Sequence, residues 1–179
     1  LNKFSDAAVI GETIYFSPYQ TDHVGVVDTT LSTPEFTPIL THLTDGGKWL
    51  YSGAVAVGNK VYFAPNNQND VGVLDTSTGA FETISTNLVG DSKYAGAVAI
   101  GNKVYFSPNA QNDVGVLDTT PTTQSPYGTF STITTSLTAD HQYSRGVVVG
   151  SYTGGGTWKR TETNRPYERG GSYTKLHEI

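Results

Sequence analysis

The chain of 179 residues contains no cysteine and no methionine. Without cysteine there is no disulfide, no thiolate nucleophile and no cysteine-built zinc site. No Asn-x-Ser/Thr triplet occurs either, so the usual glycan mark of secretion is missing and both oxidising and reducing compartments stay open. Long apolar runs are also missing. Stretches such as Ala54–Val57 and Ala97–Ile100 stop far short of the roughly 20 residues that cross a bilayer, and no charged segment followed by an apolar one opens the chain. A soluble protein with no membrane span is expected. Because the chain opens on Leu1, it reads as a trimmed product or as part of something longer, and localisation stays open. Charge is scarce, at 15% of residues, and unevenly spread: residues 1–150 hold 13 acids and 6 bases, whereas 151–179 hold 3 acids and 5 bases. An acidic body disfavours nucleic acid, and the tail mixes Glu162, Glu168 and Glu178 with its bases too closely to track phosphates.

Catalytic signatures are equally sparse. The four histidines, His23, His42, His141 and His177, lack the mutual spacing of zinc ligands, and no H-E-x-x-H, G-x-S-x-G or P-loop pattern occurs. Gly154–Gly156 is a glycine-rich turn without the lysine and helix that a phosphate cradle needs.

What the chain does have is repetition. Phe4–Phe36, Tyr51–Phe81 and Tyr94–Phe130 carry one shared core, and Gly11, Gly58, Gly101 and Gly150 mark one point in each unit at spacings of 47, 43 and 49 residues. Periods in this range belong to propeller blades and other stacked modules. In the second unit, Ala54–Val57 and Lys60–Ala64 are β-prone runs joined by Gly58-Asn59, a dipeptide suited to a tight hairpin. The polar loop Pro65–Asp70 follows, then the apolar run Val71–Leu74, then turn chemistry at Asp75–Gly79, then Phe81–Thr86. Four antiparallel strands make a blade. The other units differ mainly in the turn between the third and fourth strands, where insertion spares a core. The fold expected is all-β: a β-propeller of four-stranded antiparallel blades, at about 4–50, 51–93 and 94–142. Residues 143–150 match the opening of a next blade, and 151–179 form a degenerate fourth blade or an extension. Three units and a fraction do not close a ring of usual size, so closure as a small propeller, pairing of two chains and membership of a longer propeller all stay open.

The stretch Lys60–Ile84, KVYFAPNNQNDVGVLDTSTGAFETI, resembles the repeats of the YVTN family of β-propellers, and Kelch and NHL propellers are similar in looser pattern. The motif V-G-V-L/V-D-T stands intact at Val24–Thr29, Val71–Thr76 and Val114–Thr119, and the similarity covers about residues 4–150. Pro18, Pro65 and Pro108 stand at the loop entrance where that family usually has Thr-Asn. The resemblance implies a binding platform or scaffold, with enzymes in the minority.

In such a blade the loop between the second and third strands and the loop to the next blade open on one face. Candidate ligand-binding residues gather there: Tyr19, Asp22 and Trp49, then Asn66, Asn67, Gln68 and Asp70, then Asn109, Gln111 and Asp113. Their amides, carboxylates and rings suit hydroxyl-rich glycans or a protein surface. Repetition copies turn residues and ligand residues alike, so these loops serve equally well as self-bonded turns. Tyr19 and Trp49 lie outside the repeating aromatic pattern, which points them toward a ligand, whereas the repeating aromatics are expected between blades. Asn66–Asp70 could offer oxygens to calcium, but one carboxylate per loop is poor in charge, and no cofactor is expected. Asp28, Asp75 and Asp118 are expected to cap the turn into the fourth strand. The leading expectation is a non-enzymatic module holding a protein partner or copies of itself. A carbohydrate-binding propeller is the alternative, and a hydrolase or lyase on the same scaffold comes third.

Overall fold

The computed structural model describes residues 2–43 and 49–136. Twelve strands form three four-stranded antiparallel sheets, and none of the described residues is helical. The first sheet is β1 (Phe4–Ile10), β2 (Thr13–Pro18), β3 (His23–Asp28) and β4 (Glu35–Leu40). The second is β5 (Tyr51–Val57), β6 (Lys60–Pro65), β7 (Val71–Asp75) and β8 (Ala80–Ile84). The third is β9 (Tyr94–Ile100), β10 (Lys103–Pro108), β11 (Val114–Asp118) and β12 (Thr129–Ile133). Each sheet keeps chain order, so every connection within a blade is a hairpin. The expected opening of a further blade at 143–150 and the segment 151–179 lie outside the described residues.

Local chemistry sets the register. At Gly58-Asn59 only the glycine has positive φ, 59°, the signature of a two-residue type II′ hairpin, and Val57 accordingly pairs with Lys60. The first strands begin earlier than the apolar run suggests, at Phe4, Tyr51 and Tyr94, because the leading aromatic pairs with the proline that ends the second strand. A register shift just after each aromatic, or in the third blade beside its proline partner, accommodates this pairing.

Alternation along each strand gives every blade two distinct faces. One carries an aromatic triad, Tyr51, Phe63 and Phe81 in the second blade, with ring centroids 5.9–6.2 Å apart. This face packs against Tyr15, Val24 and Ile39 of the first blade. The opposite face, with Tyr62, Val73 and Ile84, packs against Tyr94, Phe106 and Phe130 of the third. Burial of Tyr62 between the sheets pushes its hydroxyl pKa up to about 12, against a hydrogen bond with Thr119 that acts the other way. The core is therefore a series of identical joints between blades, as the repeating aromatics led one to expect.

The first strands face one another along the inner side, β1 against β5 and β5 against β9. Ser5 Oγ donates to the Tyr51 carbonyl at 2.9 Å, and Ser52 Oγ donates to the Tyr94 carbonyl. Ala54 N–H also donates to Asp6 Oδ2 across the first joint, at 3.2 Å. At the second joint the backbones approach closely, since a Cβ on Gly53 would stand 2.8 Å from the Gly96 Cα.

Candidate functional site

Loops after the second strands and segments before the first strands meet on one face, and the backbone itself links them. Tyr19 N–H donates to the Lys3 carbonyl (3.0 Å), Leu50 N–H to Tyr19 (2.7 Å), Asn66 N–H to Leu50 (3.0 Å), Lys93 N–H to Asn66 (3.1 Å) and Asn109 N–H to Lys93 (2.9 Å). The inner residues of this relay, Tyr19, Leu50, Asn66 and Lys93, both accept and donate, so the polar loops are latches from blade to blade. A second device repeats beside it. Thr41 and Thr86 close the fourth-strand ends by donating their hydroxyls to the carbonyls of Asp22 and Asn69, and Thr135 does the same to Asn112. The recurring T-x-L triplets Thr41–Leu43, Thr86–Leu88 and Thr135–Leu137 were the sequence signal for this clamp.

Most of the residues singled out by sequence are engaged in these latches. Asn66 is buried, with its backbone in the relay and its Oδ1 lacking a hydrogen-bond partner. Asn67 Oδ1 accepts from Ser92 N–H at 3.0 Å, and buried Gln68 donates its N–H to Leu50 at 3.3 Å. Asp113 Oδ1 accepts from Thr135 N–H at 3.3 Å, and Asp22 Oδ1 lies 2.6 Å from His23 Nδ1. Asn109 is held through its backbone, while Asp70 and Gln111 are half-buried in their loops.

Lys93 is the residue that sequence reasoning undervalued. It is fully buried where the preceding unit has Leu50. Its ammonium donates to the carbonyls of Gly90 and Asn67 (3.4 Å to the latter) and to Asn69 Oδ1 at 3.4 Å, so a built-in cation already takes these loop oxygens. Burial lowers its pKa, opposed by the charges of Asp91 and Asp70.

Tyr19 and Trp49, by contrast, come together as a pair whose rings are held by the latch rather than consumed in it. Their centroids are 6.4 Å apart with planes 15° from parallel, and Trp49 stays 47% exposed. Trp49 has φ 40°, a left-handed conformation also found at the equivalent Ser92, φ 53°. Both residues give their carbonyls to the following loop, Trp49 to Asn67 N–H at 3.1 Å and Ser92 to Ala110 N–H at 2.8 Å. The latch therefore imposes the strained backbone that presents the indole. Asp45, Lys48, Asp140 and His141 lie outside the described residues.

On the opposite side of the blades, the acids of the V-L/V-D-T motif cap turns. Asp28 Oδ1 accepts from Thr30 N–H (2.8 Å), Asp75 Oδ1 from Ser77 N–H (3.0 Å) and Asp118 Oδ1 from Thr120 N–H (3.0 Å). Lys60 and Lys103 reach the outer oxygens of Asp75 and Asp118 at 3.1 and 2.8 Å. Hydrogen bonds from Ser77, with Lys60 adding to them, bring Asp75 down to about 2; the bond from Lys103, then those from Thr120, bring Asp118 lower still. Among the described residues no three acidic or histidine side chains converge as a metal site would require, and no helix is long and apolar enough to cross a membrane.

No family model and no curated protein sequence matches the chain. Solved structures do. Hydrazine synthase of Kuenenia stuttgartiensis superposes with a TM-score of 0.57 at 17% identity, over 80% of this chain and 38% of that one. The WD40 repeats of RRP9 superpose with a TM-score of 0.52 at 11% identity, over 72% of this chain and 36% of that one. The chain thus spans little more than a third of either. Together with three four-stranded blades, these likenesses define the protein as a β-propeller.

Proposed function

We propose that this chain is a protein-binding scaffold built from YVTN-type propeller repeats, with the latched loop face as its docking surface and the Tyr19–Trp49 pair as its anchor. The observation that carries this is the stacked, partly exposed pair on a backbone whose loops are tied to one another. Tyrosine and tryptophan supply much of the energy of protein interfaces because they offer large rigid area at small entropic cost. The neighbouring polar residues supply a rim, and the repeated acids of the opposite side are engaged in turn caps rather than aimed at a shared centre.

A carbohydrate ligand is the second reading, favoured by the 47% exposed indole of Trp49, whose ring offers a flat apolar face to a sugar. One pair of assays separates them. A displayed peptide library is selected on the wild-type protein and on Trp49→Ala, and both are applied to a glycan array. Peptides enriched on the wild type and lost on Trp49→Ala support the scaffold; glycan signals lost in the same variant support the sugar platform. Neither signal, or signals indifferent to Trp49, removes this face as the binding surface.

A further inference from the structure

The Tyr19–Trp49 pair shares its face with carboxylates carried by the loops tied to it. Asp22 lies three residues beyond Tyr19, Asp70 and Asp113 end the two following loops, and Asp91 adjoins Ser92, whose N–H donates to Asn67 Oδ1. Asp22 keeps 52% of its side chain exposed and Asp91 is exposed as well; among the described residues neither forms an ion pair with a lysine. Bases are fewer here. Lys3 is exposed, while the ammonium of Lys93 is buried and already bound by Gly90, Asn67 and Asn69. Asp91 and Asp70 both act on that one ammonium, so their combined charge exceeds what it cancels. The other described lysines, Lys60 and Lys103, are paired with Asp75 and Asp118 on the opposite side of the blades.

We infer that the partner of this face is a basic segment of a protein chain, anchored by an arginine laid on the indole of Trp49, with further positive charge toward Asp22, Asp70 and Asp91. This rests on the scaffold reading and names the chemistry of its partner. Among aromatic side chains the indole attracts a cation most strongly, and a guanidinium can lie flat on it while its N–H groups still reach carboxylates. The backbone of Trp49 is already fixed by its carbonyl's bond from Asn67 N–H, so little freedom is lost when the ring is covered. Exposed acids without a lysine of their own complement a cation, repel an acidic partner and gain nothing from a neutral one. An aromatic anchor beside an acidic rim therefore selects for positive charge.

Peptides from the displayed library that the full 179-residue chain selects, and that Trp49→Ala loses, are expected to carry net positive charge and a shared arginine. Replacing that arginine by citrulline, which keeps the shape and removes the charge, should weaken binding by about fivefold or more. The same replacement should matter much less to Trp49→Leu, which retains apolar area without an aromatic face. Asp22→Asn and Asp91→Asn should each slow association and flatten its dependence on salt. Circular dichroism checks that every variant is folded. Selected peptides that need Trp49 but are neutral or acidic, or an arginine that citrulline replaces without loss, would overturn this inference and leave the scaffold reading standing. A glycan signal at Trp49 with no peptide selected, or no signal that depends on Trp49, would overturn both.

Discussion

The ring of Tyr51 lies over the backbone of Gly72: a Cβ there would stand 2.9 Å from Tyr51 Cζ and 2.8 Å from Phe81 Cζ. Gly25 meets Phe36 and Phe4 in the same way, and Gly115 meets Tyr94. The glycine of the V-G-V motif is thus the floor on which the aromatics of the first and fourth strands sit. Gly72→Ala should destabilise by about 1–3 kcal/mol through overpacking. Chemical denaturation would check this, with Tyr51→Phe as a control that keeps the ring.

Lys93→Met should cost about 1–3 kcal/mol, because the apolar stem is retained while the carbonyls of Gly90 and Asn67 lose their donor. Its pH signature is specific. The folded-state pKa lies below 10.5, so in that window the unfolded chain binds the proton that the folded chain has lost, and stability rises with pH. Melting temperatures of the wild type and Lys93→Met, followed toward pH 10.5, should draw apart, because the wild type gains stability as the ammonium's desolvation cost is removed and the variant does not.

Acid should act through the turn caps. Asp75 and Asp118 have folded-state values below 3.8, so their contribution is fully present above that pH and is lost as pH falls toward about 2 for Asp75 and further for Asp118. The double variant Asp75→Asn/Asp118→Asn should be less stable than the wild type at neutral pH and should show a flatter melting-temperature profile below 3.8.

Trp49→Gly should leave stability within about 1 kcal/mol of wild type or raise it, since glycine adopts φ 40° without strain and the backbone carbonyl still holds Asn67. Binding at the loop face should nonetheless disappear. A melting curve beside the peptide and glycan assays checks both halves.

The blades were legible because their punctuation is physical: Gly58-Asn59 can make little but a hairpin, and Tyr62, Val73 and Phe81 alternate as a two-faced strand set must. The candidate site was legible only in part. Asn67 looks the same in sequence whether its amide awaits a ligand or, as here, accepts from Ser92 N–H. That partner lies 25 residues away, and nothing local announces it. Lys93 was obscured for a related reason, because its position reads as exposed loop until the fold shows it beneath one, in the place that Leu50 fills a blade earlier. Tyr19 and Trp49 could be picked out because they break the repeat, and only the Leu50-to-Tyr19 bond explains why they meet.

The relay from Lys3 to Asn109 is made entirely of peptide groups, which every residue except proline can supply in full. The same backbone link is therefore made through tyrosine, leucine, asparagine and lysine alike. Recognition can thus be rewritten at the exposed positions beside the relay, such as Trp49, while the buried links Leu50, Asn66 and Lys93 keep the blades in line.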